Sequence, residues 1–357
     1  MPSSKFVVYS QVGSSFRIEK VKGMFDCNLK EIVKEYQVDI PIEDFNWNVG
    51  LIVGASGSGK TTIAKEVFKD YDLFKGFEWK ESSILDDFDE KFSAKELTEI
   101  LSKVGFSSPP DWLKPFSVLS NGQKMRVELA RLILECDKPF IYDEFTSVVD
   151  RQVAKIGSAA IQKFVRKKDK KFIAVSCHYD IAEWLEPDWV YDVNKMEFID
   201  TRGLLRRPDI KVDIRKATQD EWSIFKKFHY LTATHNKAAH KYIAEIKGEA
   251  VGWVSVIHFP HPKVKNMKKI HRVVIKPDYQ GVGLGSKLIK VIAEMYSADN
   301  FRISITTGAP SFIYSLMTSK SWFMSRKPGR VSPTSKNGAL KKSVSSNRLT
   351  ASFEYKA

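Results

Sequence analysis

The 357-residue sequence predicts an α/β protein in two parts, and three observations predict it. Two glycine-rich loops, at residues 54–62 and 280–285, each stand between an apolar run and a helical pattern. Strand, loop and helix in that order belong to sheets with helices packed on them. The third observation is charge. Residues 211–357 hold 26 Lys and Arg against 9 Asp and Glu, a net +17, whereas residues 1–210 net −3. We therefore expect domains at 1–205 and 206–357, joined through the basic, Gly- and Pro-punctuated residues 201–210.

Composition excludes several classes. No apolar run approaches the ~20 residues that span a bilayer, and the start, Met1-Pro2-Ser3-Ser4-Lys5, lacks the apolar core of a signal peptide. The three cysteines, Cys27, Cys136 and Cys177, are odd in number and far apart, so reduced thiols in a cytoplasmic protein are expected. The basic excess of the second part predicts a polyanionic partner, nucleic acid first.

Along the first part, residues 5–26 alternate apolar and polar positions as antiparallel strands do, and residues 28–36 read as a short helix. Leu51-Ile52-Val53 is a buried strand, and the loop after it fits G-x-x-x-x-G-K-[ST] at Gly54, Gly59, Lys60 and Thr61. Such a loop lets backbone N–H groups curl around a phosphate, and the helix behind it adds partial positive charge. Gly54, Ser56, Gly57, Gly59, Lys60, Thr61 and Thr62 are the candidate contacts of a nucleoside triphosphate, with Lys60 on the β- and γ-phosphates and the Thr61 hydroxyl on Mg²⁺. Residues 93–104 fit a helix capped by Ser93, and Pro109-Pro110 breaks the helical pattern beyond it. Then come Leu119-Ser120-Asn121-Gly122-Gln123, a helical stretch at 127–134, the apolar strand Phe140-Ile141-Tyr142 ending in Asp143-Glu144, Asp150, and a strand at 172–176 ending beside Cys177-His178.

In this order and spacing the four motifs resemble the ATP-binding-cassette (ABC) ATPases over about residues 1–200. The resemblance implies that Asp143 holds Mg²⁺ through its water shell, that Glu144 polarises the attacking water, and that His178 senses the γ-phosphate. It implies further that Ser120, Gly122 and Gln123 close on the ATP of a second subunit, with Asp150 at the seam of an ATP-held homodimer. Phe25 aligns best with the aromatic that stacks on adenine. The sequence departs from the family at Asn121, where glycine is usual, and in having no glutamine between Thr62 and Gln123; Asp86 or Asp87 is the substitute metal contact. The arm between the phosphate loop and the family's signature, here Leu119-Ser120-Asn121-Gly122-Gln123, is short, so a soluble ATPase acting on nucleic acid is expected rather than a transporter subunit.

In the second part a strand at 212–215, a helix at 220–231 and a hairpin turning at Lys247-Gly248-Glu249 lead to the strand at 271–275. After it, Gln280, Gly281, Val282, Gly283, Leu284, Gly285 and Ser286 form a glycine loop without lysine and open a helix to Met295. The stretch resembles motif A of the GNAT acyltransferases, so the expected fold is a P-loop ABC ATPase domain followed by a GNAT-fold mixed α/β domain. The resemblance implies acyl-CoA (acetyl-CoA or another) held by Val274, Ile275 and residues 280–286, and a tyrosine, Tyr314 on the helix at 311–317, that protonates the leaving thiolate. Glu245 and His271 are candidate general bases. The pair His229-Tyr230 in so basic a domain is similar to the Mom-like enzymes that alter adenine in phage DNA, which makes both residues candidate catalytic groups. His229 could also join His235, His240, His258, His261 or His271 in a metal site. Residues 326–348 read as a basic, phosphate-tracking insertion before a closing strand at 349–355.

Three functions remain open on the sequence: a nucleic-acid acyltransferase whose ATPase clamps the substrate, a protein or small-amine acetyltransferase with a regulatory ATPase, and an ATP-driven clamp whose GNAT-like part only recognises.

Overall fold

A computed structural model describes residues 3–11, 13–26, 31–80, 82–206, 208–229, 235–261, 264–329 and 349–356. Its elements run β1 (Ser3–Gln11), α1 (Phe16–Phe25), β2 (Glu31–Asp39), β3 (Val49–Val53), α2 (Lys60–Val67), β4 (Asp72–Phe74), α3 (Ala94–Lys103), α4 (Pro109–Trp112), α5 (Asn121–Glu135), β5 (Phe140–Tyr142), α6 (Arg151–Lys167), β6 (Phe172–Ser176), α7 (Ala182–Leu185), β7 (Trp189–Asp192) and β8 (Glu197–Asp200). After the linker come β9 (Asp213–Lys216), α8 (Trp222–Phe225), β10 (His240–Ile246), β11 (Glu249–His258), β12 (Met267–Ile275), α9 (Leu284–Ala298), β13 (Arg302–Thr307), α10 (Pro310–Met317), β14 (Trp322–Gly329) and β15 (Thr350–Tyr355).

Two compact units result, and they do not follow chain order. The first comprises Met1–Gly76, Cys136–Val148 and Val165–Arg206; the second comprises Phe77–Glu135, Val149–Phe164 and Arg207–Ala357. The helical arm that carries the signature residues therefore packs as one body with the basic C-terminal part.

The first unit is built on a six-stranded sheet of order β4-β5-β6-β3-β7-β8, parallel except for the edge strand β8. Strands β3 and β6 are buried along their whole length, as near-continuous apolar runs inside a parallel sheet must be. Gly50 sits opposite Trp189 in the register, and a Cβ there would come within 2.1 Å of the indole. Trp47 meets that indole edge-on at 5.4 Å and Phe68 stacks on it at 5.9 Å.

The N-terminal expectation is corrected. Residues 16–25, expected as strand, form α1, because the Ser15 side chain caps it by accepting from the Ile18 N–H and Glu19 pairs with Lys22. Residues 31–36, expected as helix, belong to β2, whose alternation buries Tyr36 and Val38 and pairs it with β1 from Ser3↔Asp39 to Gln11↔Glu31. Period two outweighed helical propensity there.

The second unit carries a seven-stranded sheet of order β14-β15-β13-β12-β11-β10-β9, antiparallel except for β12 against β13. The hairpin turn has Lys247 at φ 52 and Gly248 at φ 80, the left-handed pair that a two-residue hairpin requires. The helix expected at 220–231 is shorter: α8 is followed by one 3-10 turn at Lys226–Phe228, and the chain extends at His229. Trp222 and Phe225 are its buried anchors, at 5.4 and 5.8 Å from Trp253, while the lysines after them have no apolar face to bury. Ser93 caps α3 with a full capping box, Pro109 and Pro110 begin α4 rather than only breaking the chain, and α5 starts at Asn121, earlier than the expected 127.

Gly50→Ala should lower the urea midpoint of the first unit, by a destabilisation of about 1–3 kcal/mol for forcing a methyl into a filled site; an unchanged midpoint would refute the Trp189 packing.

Candidate active sites

In the first unit, β5, β6 and β3 are successive neighbours, so their C-terminal ends lie side by side at one sheet edge. The sequence attaches Asp143-Glu144 to the first, His178 to the second and the glycine loop to the third. Neighbouring strands are about 4.8 Å apart, so the three groups face one crevice about 10 Å wide. This is where ligands bind in open α/β sheets.

The loop itself is preformed. Gly57 and Gly59 have φ of 76° and 101°, and Gly59 lies so close to Tyr36 that a Cβ would come within 2.2 Å of the phenol oxygen. Lys60 Nζ donates to the carbonyls of Gly54 at 3.0 Å and Ala55 at 2.7 Å, curling the loop around the ammonium. The Ala55 N–H donates to Asn194 Oδ1 at 3.2 Å. Asp143 is half-buried and its Oδ1 accepts from the Glu144 N–H at 2.9 Å. Glu144 is exposed and held at φ 52, a left-handed conformation that costs a non-glycine residue about 1–2 kcal/mol. Glycines, ammonium, the Thr61 hydroxyl and Asp143 are the donor set that suits a triphosphate with Mg²⁺. Phe25, by contrast, ends the exposed helix α1 and is 69% exposed.

The signature lies in the second unit. Ser120 N donates to Gln123 Oε1 at 3.0 Å and Gln123 N to Ser120 Oγ at 3.4 Å, a reciprocal cap that opens α5. Asn121 is exposed there, and a Cβ on Gly122 would meet Val153 at 2.8 Å. Asp150 caps α6, accepting from the Gln152 N–H at 2.8 Å. Asp87 is buried and accepts from the Lys80 N–H at 3.0 Å, whereas Asp86 is exposed.

The second site follows from strand register. β12 and β13 pair in parallel only from Met267↔Arg302 to Ile270↔Ile305, and then diverge. At the point of divergence β12 carries a bulge: Ile270 and Arg272 face consecutive residues of β11, leaving His271 as the extra one. Between the diverging ends opens a cleft of about 1250 Å³. Val274, Ile275, Gln280, Gly281, Gly283, Leu284, Gly285 and Ser286 all line it, whereas Val282 is buried and does not. Gly283, at φ 81, is the N-cap of α9 and caps it with no side chain, so the first N–H groups of that helix are left for a ligand. These features fit the pyrophosphate of an acyl-CoA.

Tyr314 lines the same cleft and is 47% exposed, with the Lys103 ammonium 5.5 Å above its ring. His229 lines it too, 5.9 Å from Trp222, while Tyr230 lies outside the described residues. His271 is half-buried in the wall; burial, with Arg272 beside it, pulls its imidazolium down to about 4. Glu245 is corrected as a candidate base: it pairs with Arg215 at 2.8 Å and does not line the cleft. His235 packs against Trp222 and Trp253 and stands 6.2 Å from His271; His240 meets Tyr296 edge-on instead. Among the described residues no group of three or more His, Cys, Asp or Glu side chains could hold a metal. Sequence reasoning missed Thr306 and Thr307 at the end of β13, and Lys103 and Ser107 from the helical arm, all of which line the cleft. A strand end beside a divergence could have flagged the threonines; nothing in the sequence flags the arm.

Residues 179–312 match the acetyltransferase (GNAT) family. The match begins within the first unit, before β7, and ends in α10. An energy-coupling factor transporter ATP-binding protein of Leuconostoc mesenteroides is 24% identical over 287 residues, covering 67% of this chain and 99% of that protein. A lactococcin-G-processing and transport ATP-binding protein of Lactococcus lactis is 25% identical over 207 residues, 47% of this chain; the match spans only 28% of the length of that relative. A solved structure described as a dimeric bacterial ABC transporter cassette is 16% identical, covering 50% of this chain and 95% of that one at a TM-score of 0.37. Among the described residues no helix is long and apolar enough to cross a membrane. The chain is thus similar to ABC-type ATP-binding proteins, and its residues 179–312 match the acetyltransferase (GNAT) family.

Proposed function

We propose that the protein binds and hydrolyses ATP at residues 54–62 and transfers an acyl group from acyl-CoA to an amine of a nucleic acid, a DNA base first. The observation that carries the reading is the cleft at the β12–β13 divergence, floored by the glycine loop and walled by basic side chains. Lys269, Arg272 and Lys103, the last paired with Glu99, line it beside His258 and His271, and residues 211–357 net +17. Such a surface attracts a polyanion and raises its local concentration. In the transfer the amine attacks the thioester carbonyl, the C–N bond forms and the C–S bond breaks. Tyr314 gives its phenolic proton to the thiolate and the proton of the amine passes to water; His271, lowered to about 4 by burial and Arg272, is too weak a base to take it. His229 and Tyr230, in the Mom-like reading, orient the acceptor base.

On the ATPase side, Lys60, Thr61, Thr62 and the loop N–H groups would hold the phosphates, Thr61 and Asp143 would hold Mg²⁺, Glu144 would orient the water and His178 would meet the γ-phosphate. Ser120, Gly122 and Gln123 close on the ATP of a second copy, so ATP holds a homodimer. The clamp offsets the few kcal/mol needed to unstack a base. No helix in the described residues spans a membrane, and a cytoplasmic setting accords with the three widely spaced cysteines.

Four outcomes test this. Glu144→Gln should abolish phosphate release while ATP still brings two copies together in sedimentation; normal turnover would remove Glu144 from its role. Tyr314→Phe should lower kcat for acyl transfer about 10²-fold, the ordinary worth of a general acid. Binding of duplex or single-stranded DNA should fall steeply between roughly 50 and 200 mM salt; a flat response would count against the polyanion. For His271, the unfolded chain takes up a proton near pH 6.5 that the folded chain refuses until about pH 4. Folding stability contributed by this group is therefore full above pH 6.5 and lost as pH falls toward 4. His271→Gln should flatten that part of the urea-midpoint profile, and an unchanged profile would refute the burial of a neutral imidazole.

A further inference from the structure

The arm between the phosphate loop and the signature is fastened to the acyl-CoA loop within one compact unit. Arg126, in the second turn of α5, is 2% exposed. Its Nη1 donates to the carbonyls of Gly105 at 2.8 Å and Pro277 at 2.7 Å, and its Nη2 to the carbonyl of Asp278 at 3.3 Å. Burial lowers its pKa to about 10, still far above neutrality, so a full charge is held by three backbone carbonyls from two segments. Beside it two glycines meet back to back. A Cβ on Gly105, at φ 87, would come within 2.8 Å of the Gln280 carbonyl oxygen, and one on Gly281, at φ 91, within 3.0 Å of the Gly105 Cα. The Ser107 N–H donates to Gln280 Oε1 at 3.1 Å, and Gln280 Nε2 in turn to the Ile275 carbonyl at 2.9 Å. Residues 277–281, the approach to the N–H groups of α9, are thus gripped by the arm.

The same helix begins with the signature. At 1.5 Å of rise per residue, Ser120 and Arg126 are about 9 Å apart along one helix. A buried guanidinium held by carbonyls of two segments does not slide; moving it breaks several charge-assisted hydrogen bonds at once, in a place where water cannot replace them. Any displacement of α5 when Ser120 meets a nucleotide phosphate is therefore passed to the loop that holds the pyrophosphate of acyl-CoA. We propose that Arg126 is the positioning residue of the acyl-CoA loop, and that through α5 it makes nucleotide engagement at residues 120–123 and acyl-CoA binding alter one another's affinity. The inference rests on the proposed function, in which both ligands bind.

The test is calorimetry on the full chain. Coenzyme A is titrated with and without Mg²⁺ and β,γ-imido-ATP, and the nucleotide with and without coenzyme A. The expected result is a change of at least about fivefold in the coenzyme A dissociation constant, and the same factor in the reverse titration, since coupling is reciprocal. Arg126→Lys, which keeps the charge but loses the fork, should bring that factor close to one while both ligands still bind. A second measurement needs no variant: nucleotide should change amide hydrogen exchange at residues 277–286 of the unaltered protein. If both ligands bind and the factor is one, or the exchange of 277–286 is unchanged by nucleotide, the proposal is overturned. If Arg126→Lys folds, binds both and keeps the full factor, Arg126 is not the link. Failure of either ligand to bind overturns the functional reading itself, a different result from independent binding.

Discussion

The interaction on which the second unit depends is one buried guanidinium. Arg126 donates to three carbonyls, one from the helical arm and two from the approach to the glycine loop at 280–285, and so ties arm and cleft into one body. A methionine in its place would fill the space and make none of these bonds. Placing a full charge there is costly, which argues for a fixed arrangement rather than a convenient one. Two glycines with positive φ allow the backbones to close on each other at that point.

The two glycine loops share one physical device. Each is a strand followed by glycines with positive φ and a helix that no side chain caps: Gly57 and Gly59 before α2, Gly281 and Gly283 before α9. They differ in what accompanies the turn. The first has Lys60 curled into the loop and carboxylates at the end of a neighbouring strand, which suits a phosphate chain with a cation. The second has no lysine in the turn and opens into a long cleft between diverging strands, which suits a pyrophosphate with a long organic tail.

Much of this was legible in the sequence because it is local. The loops, the helix cap at Ser93 and the hairpin at Lys247-Gly248 are set by residues within a few positions of each other, and the structure has them. The N-terminal region read wrongly because residues 16–21 alternate in polarity while Ser15 and Glu19 favour a helix; α1 buries none of its side chains, so no packing preference announced it. The helix at 220–231 was overextended because Trp222, Phe225 and Phe228 have helical spacing, yet only Trp222 and Phe225 are buried. The arm's share in the cleft was invisible for another reason. Arg126 and Pro277 are 151 positions apart, and a buried arginine in an otherwise amphipathic helix reads as a surface residue until its partners are seen.

The most direct measurement is titration of coenzyme A into the full chain and into Gly283→Val. A saturable site with one coenzyme A per chain, lost when the left-handed residue that opens α9 is replaced by a β-branched one, is the predicted result. No binding by the unaltered chain, or equal binding by both, would contradict it.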